Sequence, residues 1–149
     1  ARQLELDRQA LTAEREMRVH DQRADRSDAP LGVGVGGFDW RGHPTRHYPD
    51  LLLTTEAGER LAIELELTRK SDGRLAKIMR GYASDARIDR VIYVAGTTSL
   101  AQTIRKSAQR AGISALVSVH QLSQQGVPGA PAPIGRTRAA ARGAARLER

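Results

Sequence analysis

Residues 60–68 read Arg-Leu-Ala-Ile-Glu-Leu-Glu-Leu-Thr, and this alternation constrains the fold more than any other segment. Side chains alternate faces along a strand, so Ile63, Leu65 and Leu67 share one face while Glu64, Glu66 and Thr68 share the other. His47 to Thr55 reads as a second strand. The link around Gly58 is short, so the two strands form an antiparallel hairpin. Folding about Gly58 brings Asp50, early in the first strand, opposite the two glutamates. Three crowded carboxylates repel, and burying them alone is costly. A divalent cation removes that penalty, and hard oxygen ligands suit Mg²⁺ or Mn²⁺. The plainer alternative is that Glu64 and Glu66 form a solvated strand face.

Other segments supply the surrounding elements. Asp72 to Ser84 is the clearest helix, with Leu75, Ile78, Met79, Tyr82 and Ala83 on one stripe and Ser71 or Asp72 as cap. Val91 to Ala95 is a continuous apolar run, as in a central buried strand. Ser99 to Ala111 is a second helix stopped by Gly112, and Ile113 to Val119 is a last strand. Upstream, residues 1–28 carry a weak helical stripe that includes Leu4, Leu11 and Met17, and read as an N-terminal helix packed on the core. Leu31 to Trp40 is glycine-rich and reads as an edge strand or hairpin arm; no Gly-Lys-Ser/Thr follows it, which weakens a phosphate-loop reading. Arg41 to Arg46 reads as a turn. The Gly/Pro content rises after Ser123, so 123–149 reads as a flexible basic tail. The expected fold is α/β in the order αβββαβαβ, a mixed central sheet with helices on both faces, its core spanning residues 29–122.

Composition narrows the function. The chain has no cysteine, which excludes disulfides and cysteine zinc sites and fits a reducing, cytoplasmic setting. No apolar run approaches the roughly 20 residues of a membrane span. The chain opens on Ala1 rather than Met, as expected of a processed chain or a piece of a longer one. The net charge is +7. Charge concentrates in the segment Arg69 to Arg90 and in the Arg-rich end, Arg136 to Arg149. That distribution suggests a polyanionic partner, with Arg69, Arg74, Lys77, Arg80, Arg136, Arg138 and Arg142 as candidate nucleic-acid contacts.

The stretch His47-Tyr48-Pro49-Asp50, followed by Ile63-Glu64-Leu65-Glu66, resembles the PD-(D/E)xK nuclease superfamily, and the order of elements around it is similar. Within that superfamily the chain looks closest to replication-relaxation proteins of actinobacterial mobile elements, over about residues 45–96. The resemblance implies a restriction-endonuclease-like core. It implies Asp50 and Glu64 as metal ligands, with the Leu65 carbonyl as a third. The superfamily's usual Lys falls at Glu66, a departure. Glu66 would then be a ligand or general base, and Lys70 or Lys77 would supply the cationic catalytic group. Glu14 or Glu16 matches an acidic residue often found on the first helix.

The remaining polar residues fit plainer roles. Tyr82 lies on the apolar stripe and reads as core. His20, His43, His47 and His120 show no metal-ligand spacing, and His47 reads as structural or solvent-facing. Trp40 reads as a core anchor rather than a base-stacking platform. The sequence thus points to a metal-dependent DNA endonuclease or nicking enzyme of a mobile element. DNA would be its partner, with a homodimer or a larger replication or transfer complex as a further assembly. The alternative is a catalytically inactive domain of the same fold that binds DNA or protein.

Overall fold

The computed structural model describes residues 10–23 and 29–122. The tail, with Arg136, Arg138 and Arg142, lies outside the described residues, as do residues 1–9 and 24–28. In chain order the elements are β1 (Ala10–Ala13), α1 (Glu14–Arg23), β2 (Val33–Phe38), β3 (Pro44–His47), β4 (Leu51–Thr54), β5 (Arg60–Glu66), α2 (Asp72–Ser84), β6 (Arg90–Ala95), α3 (Thr98–Arg110) and β7 (Val117–Gln121). The fold is α/β. A mixed five-stranded sheet has the order β1-β4-β5-β6-β7, and β2 and β3 form a separate hairpin. β1, β4 and β5 run antiparallel, and β5, β6 and β7 run parallel.

Local chemistry explains several boundaries. The β4–β5 turn closes through the Gly58 amide donating to the Thr55 carbonyl at 2.9 Å, with Gly58 at φ +82°. A side chain at that φ is strained, so glycine belongs there. Ser71 caps α2 by accepting the Arg74 amide at 3.3 Å, and Thr97 caps α3 by accepting the Leu100 amide at 3.2 Å. Leu75, Ile78, Met79 and Tyr82 are buried as the stripe predicts, whereas Ala83 is exposed. Gly112, at φ +72°, follows the end of α3.

The first third of the chain departs from the expected order. One helix over residues 1–28 is not what forms there: Ala10–Ala13 pairs with β4 as an edge strand, and α1 follows it. The free main-chain groups of Leu51–Thr54 need partners, which outweighs a weak helical stripe. The segment His47 to Thr55 is two strands rather than one. β3 pairs with β2, and β4 pairs with β5. Pro49 stands at the break, where it cannot donate to a continuing ladder. The expected turn at Arg41 to Arg46 is shorter, since Pro44 already belongs to β3. The last strand begins at Val117 rather than Ile113, because the Ile113 amide turns back to the Ala108 carbonyl at 3.0 Å.

Helices were expected on both faces of the sheet. Instead the buried residues of α1, α2 and α3 join one cluster with Leu52, Ala62, Val91, Tyr93 and Ala95, which share one sheet face by register. Glu64 and Glu66 follow Ala62 on that covered face. On the opposite face Leu65 is 47% exposed, and Leu67, just past the strand, is 58% exposed, so the apolar face of β5 is the open one.

Candidate functional site

β5 lies in the middle of the sheet, and its two glutamates are each only 4% exposed. Register carries Asp50 to their level: Leu51 pairs with Ile63, so Asp50 stands one step further, beside Glu64. Its Oδ2 accepts the Leu65 amide at 2.6 Å, which seats this carboxylate against the β5 backbone at residue 65. Each glutamate is then met by groups from outside the strand. Glu64 Oε1 is 2.5 Å from His47 Nε2 and also accepts the Tyr82 hydroxyl. Glu66 Oε2 accepts from Lys70 Nζ.

Separate elements deliver these partners. His47 ends β3, and its ring meets the Tyr82 ring edge-on at 6.0 Å between centroids. Tyr82 comes from the inward stripe of α2. Lys70 stands in the short link between β5 and α2. Tyr93 of β6 pairs in register with Glu64; its hydroxyl is buried and has no hydrogen-bond partner among the described residues. Burial, reinforced by the Glu64 carboxylate, pushes the Tyr82 hydroxyl well above the ordinary tyrosine value. Tyr82 therefore stays protonated and serves Glu64 as a donor. Burial raises Tyr93 in the same way, and the charges of Glu64, Glu66 and Asp50 all add to it. Tyr93 thus sits within the field of all three carboxylates.

Of the residues singled out from the sequence, the fold brings together Asp50, Glu64, Glu66, the Leu65 backbone and Lys70. Lys77 is exposed and lies about 140° around α2 from Tyr82, the residue of that helix that reaches Glu64. Glu14 and Glu16 are engaged locally: Glu14 pairs with Arg18 at 2.7 Å, and Glu16 accepts the Ala13 amide at 3.1 Å. Among the described residues, no group of three or more His, Asp or Glu side chains is arranged to hold a metal ion. Sequence reasoning missed His47, the Tyr82 hydroxyl and Tyr93. Only His47 carried a signal, its place three residues before Asp50.

Positive charge collects beside α2. A cleft of about 480 Å³ between α2 and α3 is lined by Arg69, Arg80, Lys106 and Arg110, with Asp72 opposing them. Arg74 and Lys77 are exposed but do not line this cleft. Trp40 is not the expected core anchor; it is 86% exposed on the β2–β3 turn. Among the described residues no helix is long and apolar enough to cross a membrane. Comparison of the chain with protein-family models, curated proteins and solved structures gives no match.

Proposed function

We propose that the chain is a metal-dependent endonuclease or nicking enzyme of the PD-(D/E)xK, restriction-endonuclease-like type, acting on DNA of a mobile element. The observation that carries this reading is the burial of Glu64 and Glu66 side by side on the central strand, with Asp50 beside them. Burying carboxylates is costly, and such clusters gather where charge is used in chemistry. No group of three or more His, Asp or Glu side chains is gathered for a metal among the described residues, but the chemistry of the donors that are present suits a hard cation. Asp50, Glu64 and the Leu65 carbonyl offer oxygen alone, and the Tyr93 hydroxyl adds an unpartnered polar atom among the three carboxylates. When bound, Mg²⁺ or Mn²⁺ would polarise a phosphodiester oxygen and acidify an attacking water.

The chain's own residues have distinct tasks in this reading. Asp50 and Glu64 would hold the cation, and His47 and Tyr82 fix the Glu64 carboxylate in place. Glu66 would take the proton of the attacking water. Lys70, bonded to Glu66, provides the positive charge that the superfamily draws from the position Glu66 occupies here. Arg69, Arg80, Lys106 and Arg110 hold backbone phosphates.

A second reading, an inactive domain that binds DNA or protein, is favoured by one observation. Glu64 already has two partners, His47 and Tyr82, without any cation. Supercoiled plasmid incubated with Mg²⁺ or Mn²⁺, with EDTA as control, separates the two. Nicking that Asp50→Asn and Glu64→Gln both abolish supports the enzyme. A folded wild-type chain that cuts no single-stranded, duplex or branched DNA with either metal, yet binds it, leaves the binding module.

A further inference from the structure

The chain has one Phe and one Trp, and both stand exposed at the end of one hairpin. Phe38 is 73% and Trp40 86% exposed. An isolated exposed apolar residue needs no explanation, but the chain's two largest hydrophobic rings at one projecting turn do.

The turn that presents them is ordered. Asp39 Oδ1 accepts the Arg41 amide at 2.8 Å and the His43 amide at 2.9 Å. The Asp39 amide donates to the His43 carbonyl at 2.8 Å, and the Gly42 amide to the Asp39 carbonyl at 3.0 Å. The only acid of the turn is therefore occupied by the backbone. Its other carboxylate oxygen lies 3.6 Å from His43 Nδ1, while the Arg41 guanidinium lies 4.5 Å over the Trp40 ring and extends the stacking surface. The other end of the hairpin reaches the carboxylate site through His47, about 10 Å of strand from Pro44.

An exposed aromatic ring with one guanidinium stacked over it matches the unpaired bases and phosphates of a single strand. In a duplex the base faces are covered. We propose that the β2–β3 hairpin is a binding arm for unpaired DNA, with Trp40 and Phe38 stacking on bases of a strand that leads to Glu64. The proposal rests on the DNA reading above and narrows its substrate to single-stranded or frayed DNA.

Trp40 is the chain's only tryptophan, so its fluorescence reports on the arm alone. The full chain in EDTA is titrated with oligothymidylate, with a duplex of equal length, and with an equal-length strand of abasic sites. Oligothymidylate should quench the emission, and the abasic strand and the duplex should not. Followed by the anisotropy of a dye-labelled oligonucleotide, Trp40→Ala should weaken oligothymidylate binding about 5-fold to 100-fold, as loss of one stacked base does, and leave duplex binding within about 2-fold. Quenching by the abasic strand equal to that by oligothymidylate would overturn stacking. Emission unmoved by any oligonucleotide but shifted by anionic lipid vesicles would place a membrane at the arm and overturn the proposal. EDTA keeps the two readings separable. Stacking without any cleavage in Mg²⁺ sinks the nuclease alone, and cleavage with a silent Trp40 sinks the arm alone.

Discussion

Removing one oxygen from each of two buried tyrosines should shift stability in opposite directions. Tyr82 and Tyr93 are each 1% exposed, so their rings contribute similarly to the core. Their hydroxyls differ. That of Tyr82 donates to the buried Glu64 carboxylate, and that of Tyr93 has no partner among the described residues. A hydrogen bond to a charged group contributes about 1.5–3 kcal/mol net. Glu64 keeps His47 when Tyr82 becomes Phe, so the middle of that range, about 2 kcal/mol, is expected. At roughly 3–5 °C per kcal/mol in a domain of this size, Tyr82→Phe should lower Tm by about 6–10 °C. Tyr93→Phe leaves the ring in place and removes an unsatisfied buried dipole. It should be neutral or stabilising by up to about 1 kcal/mol. Urea unfolding followed by far-ultraviolet circular dichroism measures both, and Trp40 is too exposed to serve as the probe. A double-mutant cycle of Tyr82→Phe with Glu64→Gln should return a coupling of at least about 1 kcal/mol. A Tyr82→Phe protein within about 0.5 kcal/mol of wild type, the usual scatter of an inconsequential change, would refute the account of how Glu64 is held.

Two further changes test the frame around the site. Asp21 accepts the amides of Leu31 and Gly32 at 2.7 and 2.9 Å and the Tyr48 hydroxyl at 3.1 Å. Burial pushes its carboxyl up, but these hydrogen bonds outweigh it and hold the group below the ordinary aspartate range. Because the folded value is the lower one, this stabilisation is present above the unfolded pKa and is lost as pH falls through the folded one. Asp21→Asn should cost about 1–3 kcal/mol at neutral pH and flatten the acid limb of a stability–pH curve; an unchanged acid limb refutes the assignment. Gly81→Ala should destabilise although it replaces glycine within a helix. A Cβ there would lie 2.8 Å from the Gly34 carbonyl oxygen. The clash should exceed the usual helical gain of about 1 kcal/mol, so a raised Tm would show that the hairpin yields instead.

Legibility followed the strength of local signals. α2, β6 and α3 stood within a residue of their expected places, because a stripe of Leu75, Ile78, Met79 and Tyr82, or a run such as Val91 to Ala95, has only one economical arrangement. The turn of the β4–β5 hairpin was equally plain, although β4 begins only at Leu51 and β5 stops at Glu66 rather than at Thr68. The first third was not. β1 exists because the β4 edge needs a partner, a requirement written in residues 51–54 rather than in Ala10–Ala13. The break at Pro49 assigns His47 to one sheet and Leu51 to another, although the apolar pattern runs across both. Trp40 was assigned to the core on composition alone, and no local rule carried information about its exposure.

The face of β5 that is covered posed a different problem. Alternation shows which residues share a face, never which face the helices take. An apolar set of Ile63, Leu65 and Leu67 against Glu64, Glu66 and Thr68 suggests that the leucines go inside. The order β5-α2-β6-α3-β7, with the strands adjacent and parallel, places both helices on one side. That side is the one bearing Glu64 and Glu66. Three groups remote from β5 in sequence or element make this tolerable: His47 from β3, Tyr82 from α2, and Lys70 from the link after the strand. Transfer energies alone would favour the opposite choice, because covering Leu65 and Leu67 gains where covering two carboxylates loses. The local preference is overridden at one strand by the topology of the crossovers, and the cost is offset by partners that reach the two carboxylates from three directions.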